Sequence, residues 1–201
     1  MFHFQRFRVI LQIYSKRAEE MPKDLLTEEK LRLRALEPGD VDFLLAMEND
    51  PAVWKVSNTI APYSRFQIEQ YVLNAPSDVL ANRQLRLMID IPGQNNQWIT
   101  AGAVDLFDFD PLHLRAGIGI LILEKYRNQG IGLQALQILV RYAFTTLGLH
   151  QLYGNISMEN KSSIRLFEKL GFLACGTRKE WLREGFAWKD ECMFQLLNHE
   201  S

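Results

Sequence analysis

The stretch that most constrains the fold runs from Ala116 to Gly132 and joins an apolar segment, a short polar turn and an amphipathic helix. Gly130 and Gly132 flank the predicted helix start, where glycine lets the backbone turn sharply. The first amides of a helix lack an internal acceptor, and the helix dipole adds partial positive charge there. Arg127 adds a full charge. A glycine pair alone is equally typical of an ordinary turn, but in this context it predicts a phosphate-binding strand–turn–helix unit.

The segment after the turn predicts a parallel crossover. Apolar residues recur at three- and four-residue steps and are expected to face a sheet: Leu133, Leu136, Val140, Ala143 and Leu147. Gly148 is predicted to end this helix, and Leu149 to Ile156 is predicted as the next strand. Strand, helix and strand in this order predict a parallel pair. Anionic ligands bind at the carboxyl ends of such strands, which agrees with the anion-binding turn.

The segments before this unit predict one strand and two helices. Leu31 to Ala35 alternates as a half-exposed strand does, and Pro38 opens a helix that is expected to end at Asn49-Asp50-Pro51. Ser64 and Gln67 have the spacing of a capping box, which predicts a second helix from Arg65 to about Leu73. The segment from Trp54 to Tyr63 is predicted as an irregular loop.

The remaining segments predict antiparallel hairpins. Leu85 to Ile89 and Trp98 to Asp110 are expected to pair, and the last two strands are expected at about 173–183 and 186–196. Between these hairpins Asn160 is predicted to cap a helix that ends at Gly171. On a regular strand one face would carry Ile99, Ala101, Ala103, Asp105, Phe107 and Phe109, and the other would carry Val104, Leu106 and Asp108. Asp105 would then be a carboxylate among apolar neighbours, either functional or simply hydrogen-bonded.

Composition excludes several functional classes. The chain has 201 residues, of which 47% are apolar, and this predicts one globular domain. A net charge of -1 gives no general attraction to nucleic acid or to an anionic membrane. Cys175 and Cys192 lack the spacing of a disulfide framework or a zinc site, so no metal is predicted. A cytoplasmic protein acting on small molecules or proteins is expected.

Residues 1–21 differ from the rest of the chain because aromatic and aliphatic side chains alternate with Arg and Lys. They lack the long apolar centre and cleavage site of a secretory signal. Three interpretations stay open: an arm packed on the domain or on another subunit, a basic arm lying on a membrane or partner, or an upstream start that leaves Met21 as the natural first residue. Residues 22–201 are predicted to form the single domain.

Three motifs together resemble the GNAT superfamily of acyl-CoA-dependent N-acyltransferases. Arg127 to Gly132 is similar to its (Arg/Gln)-x-x-Gly-x-(Gly/Ala) diphosphate loop, and Asn160 to Phe172 is similar to its Asn-x-x-(Ala/Ser)-x-x-Leu-(Tyr/Phe)-Glu-Lys-x-Gly-Phe signature. Gly176 to Asp190 resembles the subgroup with polyamine and ribosomal-protein N-terminal acetyltransferases. The resemblance covers about Leu31 to Leu197. It implies an α+β fold in which a mixed, mostly antiparallel sheet with a splayed parallel pair lies between helical layers.

The resemblance also implies acetyl-CoA as cosubstrate and no metal. The residues implied in binding it are Leu121, Ile122 and Leu123 along the pantetheine, Arg127, Asn128, Gln129, Gly130, Ile131 and Gly132 around the diphosphate, and Asn160, Ser162 and Phe167. Asn160 is explained nearly as well as a helix cap, and both roles can coexist. Relatives pair their subunits through the terminal strands, so a homo-oligomer is a further expectation.

The expected reaction is direct attack of an amine on a thioester. An alkylammonium has a pKa near 10.4 and must lose a proton before it attacks, so a proton acceptor is needed. The candidates are Asp105, Asp108 and Glu124, with His113 and His150 weaker. Backbone amides at Ile122 and Leu123 are expected to stabilise the oxyanion.

One position departs from the family pattern. The usual proton donor to the thiolate is a Tyr, and Phe167 occupies that position here. Tyr126, Ser162 or water would then donate, or no donor would act. Phe167 also has a structural interpretation as a core aromatic residue.

The acceptor is predicted from a narrower similarity. The segment from Asp105 to Asp110, with Arg115, resembles a strand pair of bacterial spermidine acetyltransferases in which acidic side chains hold a cationic amine. Trp54 and Tyr63 would pack over the acceptor or anchor their loop. The predicted function is acetylation of a small polyamine or diamine. A protein N-terminus, an amino-bearing metabolite, or acyl-CoA binding without catalysis are the open alternatives.

Overall fold

The computed structural model describes residues 26–28, 30–57, 59–74 and 82–199, and the predicted arm at 1–21 lies outside these ranges. The strands are β1 (Thr27–Glu28), β2 (Leu31–Arg34), β3 (Leu85–Pro92), β4 (Trp98–Asp110), β5 (Arg115–Ile122), β6 (Gln151–Ser157), β7 (Leu173–Glu184) and β8 (Ala187–Leu197). The helices are α1 (Val41–Glu48), α2 (Pro51–Ser57), α3 (Arg65–Leu73), α4 (Ile131–Thr145) and α5 (Lys161–Lys169). Short 3-10 turns occupy Pro38–Asp40, Gln94–Asn96 and Glu124–Tyr126.

The strands form one mixed sheet in the order β1-β2-β3-β4-β5-β6-β8-β7. β5 and β6 are its parallel pair, and the other neighbouring strands are antiparallel. Both strands of the parallel pair are described in full, and they pair at three positions, from Arg115–Gln151 to Gly117–Tyr153. Beyond these positions the strands separate. The predicted fold class, including the splayed parallel pair, is confirmed.

Helices cover both faces of the sheet. The larger core lies under α4 and α5 and includes Val104, Leu106, Leu136, Leu139, Leu152 and Phe167. The smaller core lies under α1 and α3 and includes Leu44, Met47, Ile68, Val72, Met88 and Ala103. Burial of these apolar side chains fixes the helices on the sheet and thereby places the loops around the splayed strands. In the part of the chain described here, every helix is too short or too polar to cross a bilayer.

Several predicted elements are confirmed, and local contacts explain them. The capping box opens α3, because the Ser64 hydroxyl accepts from the Gln67 amide at 3.2 Å and the Gln67 side-chain oxygen accepts from the Ser64 amide at 2.8 Å. The β3–β4 and β7–β8 hairpins form as expected. The buried face of α4 includes the predicted Leu136 and Ala143, whereas Leu133 and Val140 are only partly buried.

The predicted loop from Trp54 to Tyr63 is wrong over its first part, because α2 spans Pro51–Ser57. Pro51 was interpreted as a helix end, but proline also fits the first turn of a helix, where its missing N–H needs no partner. The Asp50 carboxylate accepts from the Ala52 amide at 2.8 Å and satisfies one of the free donors of that turn. The Trp54 indole donates to the Glu48 carbonyl at 2.6 Å, which fixes the corner between α1 and α2.

The predicted faces of β4 are wrong on the outer side of each of two bulges that interrupt its alternation. Ile89 pairs with Gly102 and Asp90 with Thr100, which leaves Ala101 as an extra residue. Further along, the register with β5 shifts again between Phe107 and Asp110, where Asp108 has a φ of 48°. An extra residue turns the following side chains to the opposite face. Ala101 and Phe109 therefore join Val104 in the larger core, while Asp105 stays on the face of α1 and α3.

Candidate active site

The separation of β5 from β6 leaves part of β5 without a neighbouring strand on the side of β6. The Leu123 amide donates to the Ala101 carbonyl at 2.9 Å, which fixes the alternation of this antiparallel pair. Backbone groups of Leu121 and Leu123 consequently face β4, and those of Ile120 and Ile122 face the gap. The Ile122 carbonyl accepts from Arg127 Nε at 2.9 Å, in agreement with that direction. Such an edge can pair with an extended ligand that carries amide groups of its own.

The direction of these backbone groups contradicts the predicted role of the Leu123 amide. It also reduces the set of residues that can bind the pantetheine through their backbone. Leu123 was expected to supply an oxyanion-binding amide, but that amide is already engaged by Ala101. Leu121 turns its backbone toward β4, and its side chain packs against the smaller core. Of the three predicted pantetheine residues, only Ile122 presents its backbone to the gap. Ile120 has the same orientation and was missed, because strand orientation depends on pairing partners.

The turn before α4 has the predicted form of an anion site. Asn128 and Gly130 adopt left-handed conformations, with φ of 60° and 81°. The Gly130 carbonyl accepts from the amides of Leu133 and Gln134. The amides from Asn128 to Gly132 donate to no acceptor within the described residues. Open amides at a helix start, beside the exposed Arg127, are suited to a diphosphate.

The two glycines of this turn serve different purposes. Gly130 is required by its φ of 81°, and a Cβ there would meet no heavy atom within 4 Å. A Cβ on Gly132 would instead point toward the sheet, at 3.6 Å from side-chain atoms of Ile120 and Leu166 and 3.8 Å from Ile122. These are ordinary contact distances, so alanine would also fit at position 132. Gly132 thus packs the start of α4 beside the gap.

The start of α5 combines a helix cap with a buried aromatic ring. The Asn160 side-chain oxygen accepts from the Ser163 amide at 3.1 Å and from the Ser162 hydroxyl at 2.9 Å, so Asn160 is a helix cap. Phe167 is 3% exposed and packs against Phe172 at a centroid distance of 4.7 Å. A Cβ on Gly154 would clash with the Phe167 ring, so that glycine makes room for it. Phe167 is therefore a core aromatic residue, as its structural interpretation predicted.

The structure separates the other predicted acid–base residues from one another. Asp108 lies where β4 meets the start of β5, at the end of the strand pair opposite to the gap, and accepts from the Tyr153 hydroxyl at 3.3 Å. Glu124 is exposed on the turn after β5. Tyr126 is partly buried, packs against the larger core and has the Lys125 ammonium 4.7 Å from its ring centroid. These three residues do not surround one reacting atom.

The aromatic and histidine candidates have structural partners or exposed positions. Backbone groups of Tyr63 exchange two 2.8 Å hydrogen bonds with the Asn49 side chain, and Trp54 is bound to Glu48 as described. The Trp54 contact supports the loop-anchoring interpretation of that side chain, whereas the bonds at Tyr63 involve only its backbone. His113 bonds to Asp110 in the turn between β4 and β5, with a ring nitrogen 2.8 Å from the carboxylate, and His150 is exposed.

Asp105 is the predicted carboxylate that borders the gap. α4 and α5 cover one face of the splayed strands, and α1 and α3 pack on the other face, which also carries Asp105. On that face β5 presents Gly117 and Gly119, and a Cβ on Gly119 would lie 3.6 Å from the Phe107 ring and 3.8 Å from the Asp105 Cβ. The backbone of Gly119 and the edge of the Phe107 ring therefore lie between Asp105 and the gap. Arg86 holds the carboxylate through a 2.7 Å bond from Nε to Oδ1, a partner that the sequence analysis missed.

Comparison with known proteins identifies the family and the fold. Residues 30–173 match the family model for the acetyltransferase (GNAT) domain. The chain is 28% identical over 142 residues to a spermidine N(1)-acetyltransferase of Escherichia coli K12, which covers 71% of this chain and 72% of that protein. A crystal structure of the Vibrio cholerae spermidine N-acetyltransferase with CoA and spermine has a TM-score of 0.75 at 24% identity and covers 85% of this chain and 96% of that one. A dodecameric structure of the Vibrio cholerae protein has a TM-score of 0.70 at 25% identity and covers 85% and 95%.

The matched family region contains the splayed strands, the turn with open amides and all of α5. A family match over more than half of the chain and the same fold in solved relatives agree with the site geometry. This chain belongs to the GNAT acetyltransferase family, and it is an N-acetyltransferase that uses acetyl-CoA.

Proposed function

We propose that this enzyme transfers the acetyl group of acetyl-CoA to a primary amine of a small diamine or polyamine. The observation that carries the proposal is the position of Asp105, which lies opposite the side-chain-free Gly119 of β5 and beside the Phe107 ring. A carboxylate at that place attracts a second ammonium group while the first amine reaches the thioester. The similarity to spermidine acetyltransferases supports the same class of acceptor.

In the proposed reaction the chain mainly binds and orients. The open amides from Asn128 to Gly132 and the Arg127 guanidinium hold the diphosphate, and the backbone of Ile120 pairs with the pantetheine amides. The neutral amine forms a bond to the thioester carbon, and the Ile122 amide stabilises the oxyanion. The carbon–sulfur bond then breaks, and the nitrogen, which became positively charged on attack, loses its second proton to water to give the amide. Alignment of the two reactants supplies a large part of the rate increase.

The protons in this scheme pass through water. Both oxygens of Asp105 accept hydrogen bonds from Arg86, so Asp105 acts as a fixed anion and the ammonium proton goes to solvent. Phe167 has no proton to give, and the Ser162 hydroxyl donates to Asn160. The CoA thiol has an ordinary thiol pKa near 8.5, so the departing thiolate takes its proton from water.

A thiol-release assay tests the proposal. The purified enzyme is incubated with acetyl-CoA and a panel of diamines, polyamines, amino acids and peptides, and free CoA thiol is measured. We expect amine-dependent release that is fastest with diamines or polyamines. Faster release with peptides or amino acids would replace the proposed acceptor. Tight acetyl-CoA binding without release on any amine would instead support the non-catalytic alternative.

We also propose that the chain forms a homo-oligomer. β7 is an edge strand of the sheet, and the hairpin it forms with β8 exposes Trp181, Phe186 and Trp188. Large exposed aromatics on a strand edge are typical of a subunit interface. Light scattering after gel filtration should give a molar mass that is a multiple of 23.3 kDa, and the Phe186→Ser variant should have a lower molar mass in solution. A wild-type monomer at micromolar concentration would contradict this proposal.

A further inference from the structure

The acceptor face carries a partly buried ionic cluster of three side chains, Glu48 on α1, Arg86 on β3 and Asp105 on β4. Arg86 donates to Asp105 through Nε at 2.7 Å and through Nη2 at 3.3 Å, and it donates to Glu48 through Nη1. The three side chains are 13% to 17% exposed. The Tyr71 ring of α3 lies 5.5 Å from the guanidinium carbon and covers it. One arginine therefore links two helices to two strands under the acceptor face.

The cluster has a net negative charge. Burial lowers the pKa of Arg86, but the nearby Asp105, Tyr71 and Glu48 raise it more, so its pKa lies above the ordinary value and the guanidinium stays charged. Two carboxylates and one guanidinium then sum to a charge of -1 at neutral pH. Within the described residues, the three side chains have no further ionic partner.

The immediate surroundings leave this charge uncompensated on the side of the gap. Met88, Ala103 and Leu121 of the same face pack into the smaller apolar core. Gly119 has no side chain, and the Phe107 ring that lies over Gly117 and beside Gly119 carries no charge. A charge that is partly removed from water interacts more strongly with a nearby ion than an exposed one. The open position next to Asp105 is therefore a place where a cation would be stabilised.

We infer that the Glu48–Arg86–Asp105 cluster as a unit recognises the second ammonium group of the acceptor, and that Glu48 is a specificity-determining residue. This inference rests on the proposed acetylation of a diamine. Asp105 alone would be neutralised by Arg86, so the charge that selects a cation exists only because Glu48 shares the same guanidinium. Asp105 and Gly119 are opposite each other on strands about 5 Å apart, so a short alkyl chain can span from the cluster to the gap.

Glu48→Gln tests this inference by removing one charge while keeping an oxygen that can accept from Arg86. It changes the cluster charge from -1 to 0. The measured quantity is the ratio of kcat/KM for 1,4-diaminobutane to kcat/KM for n-butylamine, which has no second ammonium. We expect the ratio to fall about tenfold, mainly through KM for the diamine, for charges about 8 Å apart at an effective dielectric of roughly 30. Asp42→Asn is the matched control, because Asp42 is an 81% exposed carboxylate on the same helix that pairs with Arg65. It should leave the ratio unchanged.

A double variant separates charge from geometry. Glu48→Gln with Arg86→Gln restores a charge of -1 while abolishing the ion pairs, so the ratio should return toward the wild-type value. An unchanged ratio in Glu48→Gln would overturn the inference. If kcat/KM falls equally for both amines, the role of Glu48 is merely structural. If the wild type acetylates amines but does not prefer the diamine, the inference fails while N-acetylation stands. If it releases no thiol with any amine, the proposed function fails and the inference fails with it.

Discussion

A carboxylate at position 130 should weaken CoA binding by its charge alone. The backbone of Gly130 has a φ of 81°, and a Cβ there would meet no heavy atom within 4 Å, so a side chain is not blocked. Asn and Asp enter the left-handed region more readily than other non-glycine residues, and each costs about 1 kcal/mol of stability there. Gly130→Asp and Gly130→Asn should therefore fold equally well. Their difference in CoA affinity isolates the charge.

The size of that difference follows from the location of the open amides. A carboxylate on residue 130 would lie roughly 6 Å from a diphosphate bound to the amides from Asn128 to Gly132. For a diphosphate charge of about -2 and an effective dielectric of roughly 40 to 80, the repulsion is about 1.4 to 2.8 kcal/mol. We therefore expect the Kd of CoA to be about 10 to 100 times higher for Gly130→Asp than for Gly130→Asn.

Isothermal titration calorimetry of CoA against both variants measures this ratio. The ratio should shrink at about 0.5 M salt, where the Debye length falls to roughly 4 Å. Equal Kd values for the two variants at low salt, with both proteins folded, would refute the assignment of this turn as the diphosphate site. A ratio of Kd values that does not change with salt concentration would refute the electrostatic origin of the difference.

Three further predictions concern Phe167, Gly154 and Asp110. Gly154→Ala places a methyl group against the buried Phe167 ring, so the free energy of unfolding should fall by about 1–3 kcal/mol in urea titrations, and Phe167→Leu in the same chain should recover part of it. Phe167→Tyr adds a hydroxyl at the ring carbon that lies beside Gly154, where β5 and β6 begin to separate. If this hydroxyl donates a proton to the thiolate, kcat in the thiol-release assay should rise. An unchanged kcat in a folded variant would contradict a proton-donor position there. The backbone amide and ring of His113 lower the pKa of Asp110 to about 2, so its stabilisation is complete above the unfolded pKa near 3.9 and is lost as pH falls toward 2. The Tm of Asp110→Asn should differ from that of the wild type at pH 6, and this difference should disappear between about pH 4 and 2. A Tm difference that persists at pH 2 would contradict the lowered pKa of Asp110.

The features that the sequence predicted well are determined by nearby residues. A helix start with Gly130, a capping box at Ser64 and a cap at Asn160 each depend on contacts within a few positions of the chain. The crossover from β5 through α4 to β6 follows from the order of apolar segments and the handedness of such connections. These local rules placed the turn with open amides, which is half of the candidate site.

The features that the sequence did not reveal depend on pairing between distant strands. Nothing in the residues of β4 marks Ala101 as the extra residue of a bulge, because the bulge is defined by its partners on β3. The orientation of the Ile120 and Leu123 backbone likewise follows only from the bond between Leu123 and Ala101. Arg86 alternates with Leu85 and Leu87 along β3, and its contacts form only when β3, β4 and α1 come together.

The charge of the acceptor side shows why this distinction matters for function. Counting acids along β4 suggested Asp105 and Asp108 as a pair, yet Asp108 lies at the opposite end of the strand pair and bonds to Tyr153. The carboxylate that acts together with Asp105 is Glu48, and both share the single cation of Arg86. Since α1 supplies this second carboxylate, substitutions in α1 can change the charge that the acceptor meets. They leave β5 and the turn before α4 untouched, so under the proposed function such substitutions should change acceptor preference without changing CoA binding.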